Sequence, residues 1–295
     1  MPVLIAIASG KGGVGKSFIS ANLAYAFSES INKTLLVDCD LGGANLHHFL
    51  GIPPPKENLY HFLREKSDFN KLIIPVKNNL DFMSGNSDVL GMIHIKNYEK
   101  NKLIRNINAV DYSYVIIDLG AGSSYNTLDI FNASDLKILI ITPEQTSLEN
   151  AYGFLKMAYL RGILDIVKND KILAFLSKQI SFKSGGIKNI SYIKEILSKE
   201  DNKYIGLIDE FTQKYRIGII LNMVQQKNEL SFLVLLSFIV KKYLGFHIEK
   251  IGFFPYDTTI SKALKEGAIY YNVTSNENRE CFLDILNKIN RLNVH

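Results

Sequence analysis

Short runs of apolar, β-branched residues alternate with longer amphipathic stretches along most of the chain. The runs Val3–Ser9, Thr34–Asp38, Leu80–Met83, Tyr114–Asp118, Lys137–Thr142, Arg216–Asn222 and Glu249–Phe253 have the length and character of buried strands. Helical spacing predicts helices near Lys16–Ser28, Tyr98–Asn108, Asn126–Ala133, Ser147–Arg161, Ile190–Leu197, Asp209–Tyr215, Leu230–Tyr243, Thr258–Lys265 and Glu277–Asn290. Strands that are apolar throughout and separated by helices predict a three-layer α/β fold: a mostly parallel, twisted sheet with helices on both faces. In such sheets ligands bind past the carboxyl ends of the strands. No repeat of 20–50 residues is visible, and Pro53-Pro54-Pro55 reads as a short rigid turn. Residues 177–215 are the most polar long stretch and read as a helical insertion at the sheet's edge, within a single domain over 1–295.

Composition narrows the class only slightly. With 295 residues, 47% of them hydrophobic, the chain can bury a large core, and nothing argues for disorder. Its net charge of +5 permits nucleic acid or an anionic membrane surface as a partner without demanding either. Cys39 and Cys281 form no metal-type spacing, so a reduced, cytoplasmic protein is expected. The opening apolar run has no basic flank and leads straight into a glycine-rich loop, which fits a strand and not a secretory leader.

That loop carries the strongest chemical signal. Gly10-Lys11-Gly12-Gly13-Val14-Gly15-Lys16-Ser17 has the phosphate-binding pattern G-x-x-x-x-G-K-[ST], with a strand before it and a helix after it. The glycines let the chain wrap closely, so that amides from Gly12, Gly13, Val14, Gly15, Lys16, Ser17 and Phe18 face one anion at the positive end of the helix. Lys16 supplies a mobile charge for the β- and γ-phosphates of ATP, and the Ser17 hydroxyl can ligate Mg²⁺. The second strand ends in Asp38-Cys39-Asp40, two carboxylates that point the same way if the strand continues; such a pair holds Mg²⁺ through water and orients an attacking water. A later strand ends in Ile116-Ile117-Asp118 ahead of Gly120 and Gly122, the Walker B arrangement, whose acid helps hold Mg²⁺.

Together these elements resemble the MinD/ParA family of P-loop ATPases, the SIMIBI-class proteins with a deviant Walker A loop. Lys11 to Ser17 matches K-G-G-x-G-K-[ST], Asp38-Cys39-Asp40 matches D-x-D, and Asp118 to Gly122 matches D-x-x-x-G. Thr142-Pro143-Glu144-Gln145-Thr146-Ser147 looks like a turn of the flagellar-number regulators, and the segment from Gly42 to His48 is similar to the same branch. The resemblance implies a P-loop NTPase fold and slow, partner-stimulated hydrolysis of ATP with Mg²⁺. It also implies an ATP-bound homodimer in which Lys11 reaches the other subunit's nucleotide. It gives Asp40 the water, Asp38 a supporting role at the metal or water, and the metal to Ser17, Asp40 and Asp118. Asn222, Pro255 and Asp257 fall where the family borders the adenine base.

The cysteine pairs of cluster-carrying relatives are missing, which leaves spatial regulation: placement or number of flagella, the division site, or chromosome and cargo. The activating protein is unidentified, and either the inner face of the membrane or the nucleoid is open as the working surface. Phe282 to Ile289 has apolar spacing that fits the last core helix, with a membrane-docking helix as the alternative. His47-His48 reads as a surface pair, and the lysines of the insertion as a solvated face. Two other functions compete: a metabolic ATP-using ligase or kinase on the same fold, against which Lys11 argues, and a non-hydrolysing scaffold, against which the intact Asp38, Asp40 and Asp118 argue.

Overall fold

The computed structural model describes residues 1–30, 32–40, 43–65, 67–85, 95–167, 190–200 and 203–293. Eight strands form one sheet: β1 (Val3–Ala8), β2 (Thr34–Cys39), β3 (Ile73–Lys77), β4 (Leu80–Met83), β5 (Tyr114–Leu119), β6 (Leu136–Ile141), β7 (Ile217–Val224) and β8 (Ile248–Pro255). Their order is β3-β4-β2-β5-β1-β6-β7-β8, and every pairing is parallel except β3 with β4. The connection reverses direction across β1, which sits between β5 and β6. This is the switch point at which a parallel sheet opens a crevice for a ligand.

Continuous apolar strands follow from double coverage. All residues of β2 and β6 are buried, because helices lie on both faces. One face is covered by α1 (Lys16–Glu29), α2 (Leu46–Phe49), α10 (Ile260–Lys265), α11 (Tyr270–Val273) and α12 (Asn276–Asn293). The other carries α3 (Leu59–Arg64), α4 (Asn97–Ala109), α5 (Tyr125–Ala133), α6 (Gln145–Val167), α7 (Ile190–Glu200), α8 (Lys203–Lys214) and α9 (Ser231–Leu244). Helix α1 is buried almost all round and so has little amphipathic character. Phe18 packs its ring against Phe254 and Tyr270, at 5.4 and 5.1 Å between centroids. Asn22 ties two helices together, accepting from the Tyr271 amide at 2.8 Å.

Three readings of the sequence change here: an edge strand, a helix start and a histidine. Strand β3 was not expected, because Pro75 interrupts a half-buried run; the run survives as an antiparallel edge, where proline is tolerated. The second helix of the polar stretch starts at Lys203, not Asp209. Helices α7 and α8 bury Ile193, Leu197, Tyr204 and Ile208 in the core, and Phe211 stacks on Tyr159 of α6. Lys178, Lys183 and Lys188 of that stretch lie outside the described residues. Lys194 pairs with Asp209. His47 is not a surface residue: it is buried, and burial and then His48 lower its pKa. The last helix is a core element, with Phe282, Ile285, Leu286 and Ile289 buried against α1 and β8.

Candidate nucleotide-binding site

The loop between β1 and α1 is shaped by two left-handed glycines, Gly13 (φ 80°) and Gly15 (φ 81°). Gly15 is the N-cap of α1, and its carbonyl accepts from the Ile19 amide at 3.0 Å. The amides of Lys16, Ser17 and Phe18 therefore have no partner within the helix and form its positive end. A side chain at Gly15 would place its Cβ 2.2 Å from Asn222 Nδ2, and one at Gly10 would meet the Asn150 carbonyl at 2.3 Å. The loop thus needs glycine both for its turn and for close approach. The Phe18 ring is 4% exposed within the aromatic cluster, so only its backbone remains for a ligand.

Beneath the loop lies a dense polar cluster. Asp118, fully buried at the end of β5, accepts from the Ser17 and Ser20 hydroxyls at 2.7 Å each and pairs with the Lys16 ammonium at 3.0 Å. Ser20 escaped the sequence reading. Its position one helical turn after Lys16 was the available signal. The parallel register sets Asp38 of β2 directly beside Asp118. Asp38 is 1% exposed, and its two oxygens accept from the Asp40 amide at 2.9 Å and the Leu46 amide at 3.2 Å. Burial first, and the neighbouring Asp118 carboxylate second, push the Asp38 carboxyl up to about 7. Geometrically Asp38 is a clamp on the segment from 40 to 46, of which Leu41 and Gly42 lie outside the described residues.

Asp40 stands at the rim, its carboxylate about a van der Waals contact from where a Cβ would lie on Gly43 or Gly120. A cleft of about 420 Å³ opens beside it, lined by Cys39, Leu119, Gly120, Ser124 and Thr127 among others. Among the described residues no three His, Cys, Asp or Glu side chains converge on one point. The donors that do converge, Ser17 and Asp118, are hard oxygens. That set suits Mg²⁺, which takes few protein ligands and completes its shell with phosphates and water.

At the loop's mouth Lys11 turns back along its own chain. Its ammonium pairs with Glu144 and donates to Thr146 Oγ1 at 3.1 Å. The Lys11 contact holds the Glu144 carboxyl below its ordinary range. This partner, 133 residues away in the chain, was not foreseen. On the other flank, Asn222 Nδ2 donates to the Val14 carbonyl at 2.8 Å and anchors the loop to β7. Met223 follows in a left-handed conformation (φ 61°), a strained backbone beside the site. The tips of β7 and β8 meet through Val224 and Pro255. Asp257 is held by Tyr270, by Thr259 and by Asn278 Nδ2 at 2.8 Å; burial opposes ionisation, but these contacts keep its carboxyl below the usual range. Asp257 therefore fixes the chain after β8.

A phosphate loop at the centre of a parallel sheet, with acids at the tips of two neighbouring strands, defines a P-loop nucleotide-binding protein. The chain belongs to the CobQ/CobB/MinD/ParA nucleotide binding domain family, which it matches over residues 5–269. It is 34% identical over 155 residues to the flagellum site-determining protein YlxH of Helicobacter pylori, a match covering 52% of each chain. It is 27% identical over 156 residues to the antiactivator FleN of Pseudomonas aeruginosa, covering 52% of this chain and 55% of that one. These matches span about half the length of the relatives. Among solved structures it is similar in fold to the septum site-determining protein MinD complexed with Mg-ADP from Pyrococcus horikoshii OT3. That likeness has a TM-score of 0.66 and 19% identity, and covers 99% of this chain and 97% of the other.

Proposed function

We propose that the protein is a dimerising, Mg²⁺- and ATP-dependent switch that hydrolyses ATP slowly and so controls the number or placement of a cellular structure. The whole chain acts as one P-loop unit. The observation that carries this reading is the contact set of Lys16, Ser17 and Asp118 beneath a loop whose extra lysine, Lys11, stands at the mouth in a pair with Glu144. Membership of the nucleotide-binding family and likeness to a protein solved with Mg-ADP support the ligand. Likeness to a flagellum site-determining protein and to an antiactivator supports flagellar number or placement as the output.

In this mechanism the loop amides and Lys16 bind the phosphates, with Lys16 drawn from Asp118. Mg²⁺ bound with the nucleotide would neutralise phosphate charge, held by Ser17 and, through water, by Asp118. Asp40 at the rim orients the water, and Asp38 fixes the backbone that carries Asp40. Lys11 acts across the dimer, which couples association to the nucleotide and gives an activating protein a step to accelerate.

Light scattering with and without ATP, alongside phosphate release, tests this. Asp40→Ala is expected to double its mass with ATP and to stay doubled, while Lys11→Ala binds ATP but loses dimer-linked turnover. A persistently monomeric Asp40→Ala, or undiminished turnover in Lys11→Ala, would remove the dimer mechanism. The Lys11–Glu144 pair adds a finer expectation. Glu144→Gln frees Lys11 and shifts ATP-dependent dimerisation to lower protein concentration. Because the Glu144 side chain is 58% exposed, solvent screening limits the gain to at most about fivefold.

A further inference from the structure

We infer that α9 is a docking ridge for an anionic lipid surface, a role that does not rest on the nucleotide reading. The helix buries Leu233, Leu236, Val240 and Leu244 in the core, at the spacing of one face. Its opposite face would ordinarily be polar. Here Val234, Leu235 and Phe238 are 56%, 46% and 61% exposed, and none of them packs on the core. One turn further along the same stripe stand Lys241 and Lys242, with Tyr243 half-exposed beside them.

Charge selects the occupant. No Asp or Glu occurs between Leu230 and Ile248. Glu229, just ahead, is turned away to accept from the Gln225 and Gln226 amides at 2.7 and 3.2 Å. Among the described residues neither Lys241 nor Lys242 pairs with a carboxylate. The Lys242 ammonium lies 5.8 Å from the centre of the Phe238 ring and 5.3 Å from that of Tyr243, a cation held over apolar surface with its charge outward.

Shape points the same way. Large side chains standing out from a single helix form a ridge, and a fluid interface accepts a ridge without a preformed pocket. From Ser231 to Lys242 the stripe is about 16 Å long, enough to lie in the headgroup layer with Phe238 dipping toward the acyl chains. Among the described residues no helix is long and apolar enough to cross a membrane, so the contact is peripheral.

The test is flotation of the full chain with vesicles of phosphatidylcholine alone or with about one-third phosphatidylglycerol. Binding to the anionic vesicles, weakened by high salt, is expected. Leu235→Glu with Phe238→Glu should lower the bound-to-free ratio at least about tenfold, and Lys241→Glu with Lys242→Glu should erase the preference for anionic lipid. Both pairs are exposed and distant from the phosphate loop in sequence, so unchanged ATP turnover and melting temperature exclude misfolding. Wild-type protein that floats with neither vesicle, or ridge variants that bind as wild type, would overturn the proposal. So would a dimer in solution that Phe238→Glu abolishes without any vesicle binding, which would give the ridge to a second copy.

Discussion

Lys16→Met is expected to weaken nucleotide binding by at least about 100-fold and also to destabilise the protein without ligand. The second effect is the more diagnostic. The Lys16 ammonium and the Asp118 carboxylate are 3.0 Å apart, with side chains 7% and 1% exposed. Removing one member of such a pair leaves the other charge buried, at a cost on the order of 3 kcal/mol. Asp118 keeps its bonds from Ser17 and Ser20, but it also faces Asp38 across the β2–β5 pairing with no cation between them. A fall in Tm of about 5 °C is therefore expected for a chain of this size. Adding Asp118→Asn should restore most of the lost Tm and none of the nucleotide binding. Equal Tm values for wild type and Lys16→Met would mean that the pair is not formed in solution.

The phosphate loop was legible because its information is local. Two glycines in left-handed turns, a strand before and a helix after are all properties of neighbouring residues. The parallel sheet was legible for a related reason: strands buried on both faces have no polar alternation to confuse with an exposed sheet. Where partners come from far along the chain, the sequence was silent. Glu144 on Lys11, Asn222 on Val14 and Tyr271 on Asn22 bridge more than a hundred residues each, and nothing in their spacing marks them. Asp38 shows the limit most clearly. Its residue type and place at a strand tip suggested work at the metal or the water. Whether both oxygens were free depended on the path of the chain from 40 to 46, and two backbone amides of that path now occupy them. Edge strand β3 was hidden by Pro75, since a breaker in a short run reads as a loop until a neighbour supplies the pairing. The exposed face of α9 was visible only as apolar residues, and it took the burial of Leu233, Leu236 and Val240 to show that Val234, Leu235 and Phe238 face outward.

Asp38→Asn should move stability in the opposite direction from Lys16→Met. The folded protein without ligand holds the Asp38 carboxyl at about 7, against 3.8 for the free group, chiefly because burial disfavours its charge. The folded state therefore binds a proton that the unfolded state has already released. Stability then falls as pH rises from about 4 to about 7 and levels off above that. Asparagine has the shape of the protonated acid and no charge to bury. Its single amide oxygen keeps one of the two backbone bonds, so at pH 4 it should be less stable than wild type by about 1–2 kcal/mol, and between pH 4 and pH 8 its stability relative to wild type should rise by on the order of 4 kcal/mol. A cation placed among these acids with the nucleotide would favour the ionised form, so Mg²⁺ and ADP should flatten the wild-type pH profile and leave that of Asp38→Asn unchanged. The variant should at the same time lose ATP turnover by roughly 100-fold, because a neutral amide neither supports the cation nor holds both the Asp40 and Leu46 amides as an acceptor. Thermal melts at several pH values, with phosphate release on the same samples, read both effects. A difference between variant and wild type that stays the same from pH 4 to pH 8 would show that the carboxylate is neutralised in the fold by something other than a bound proton.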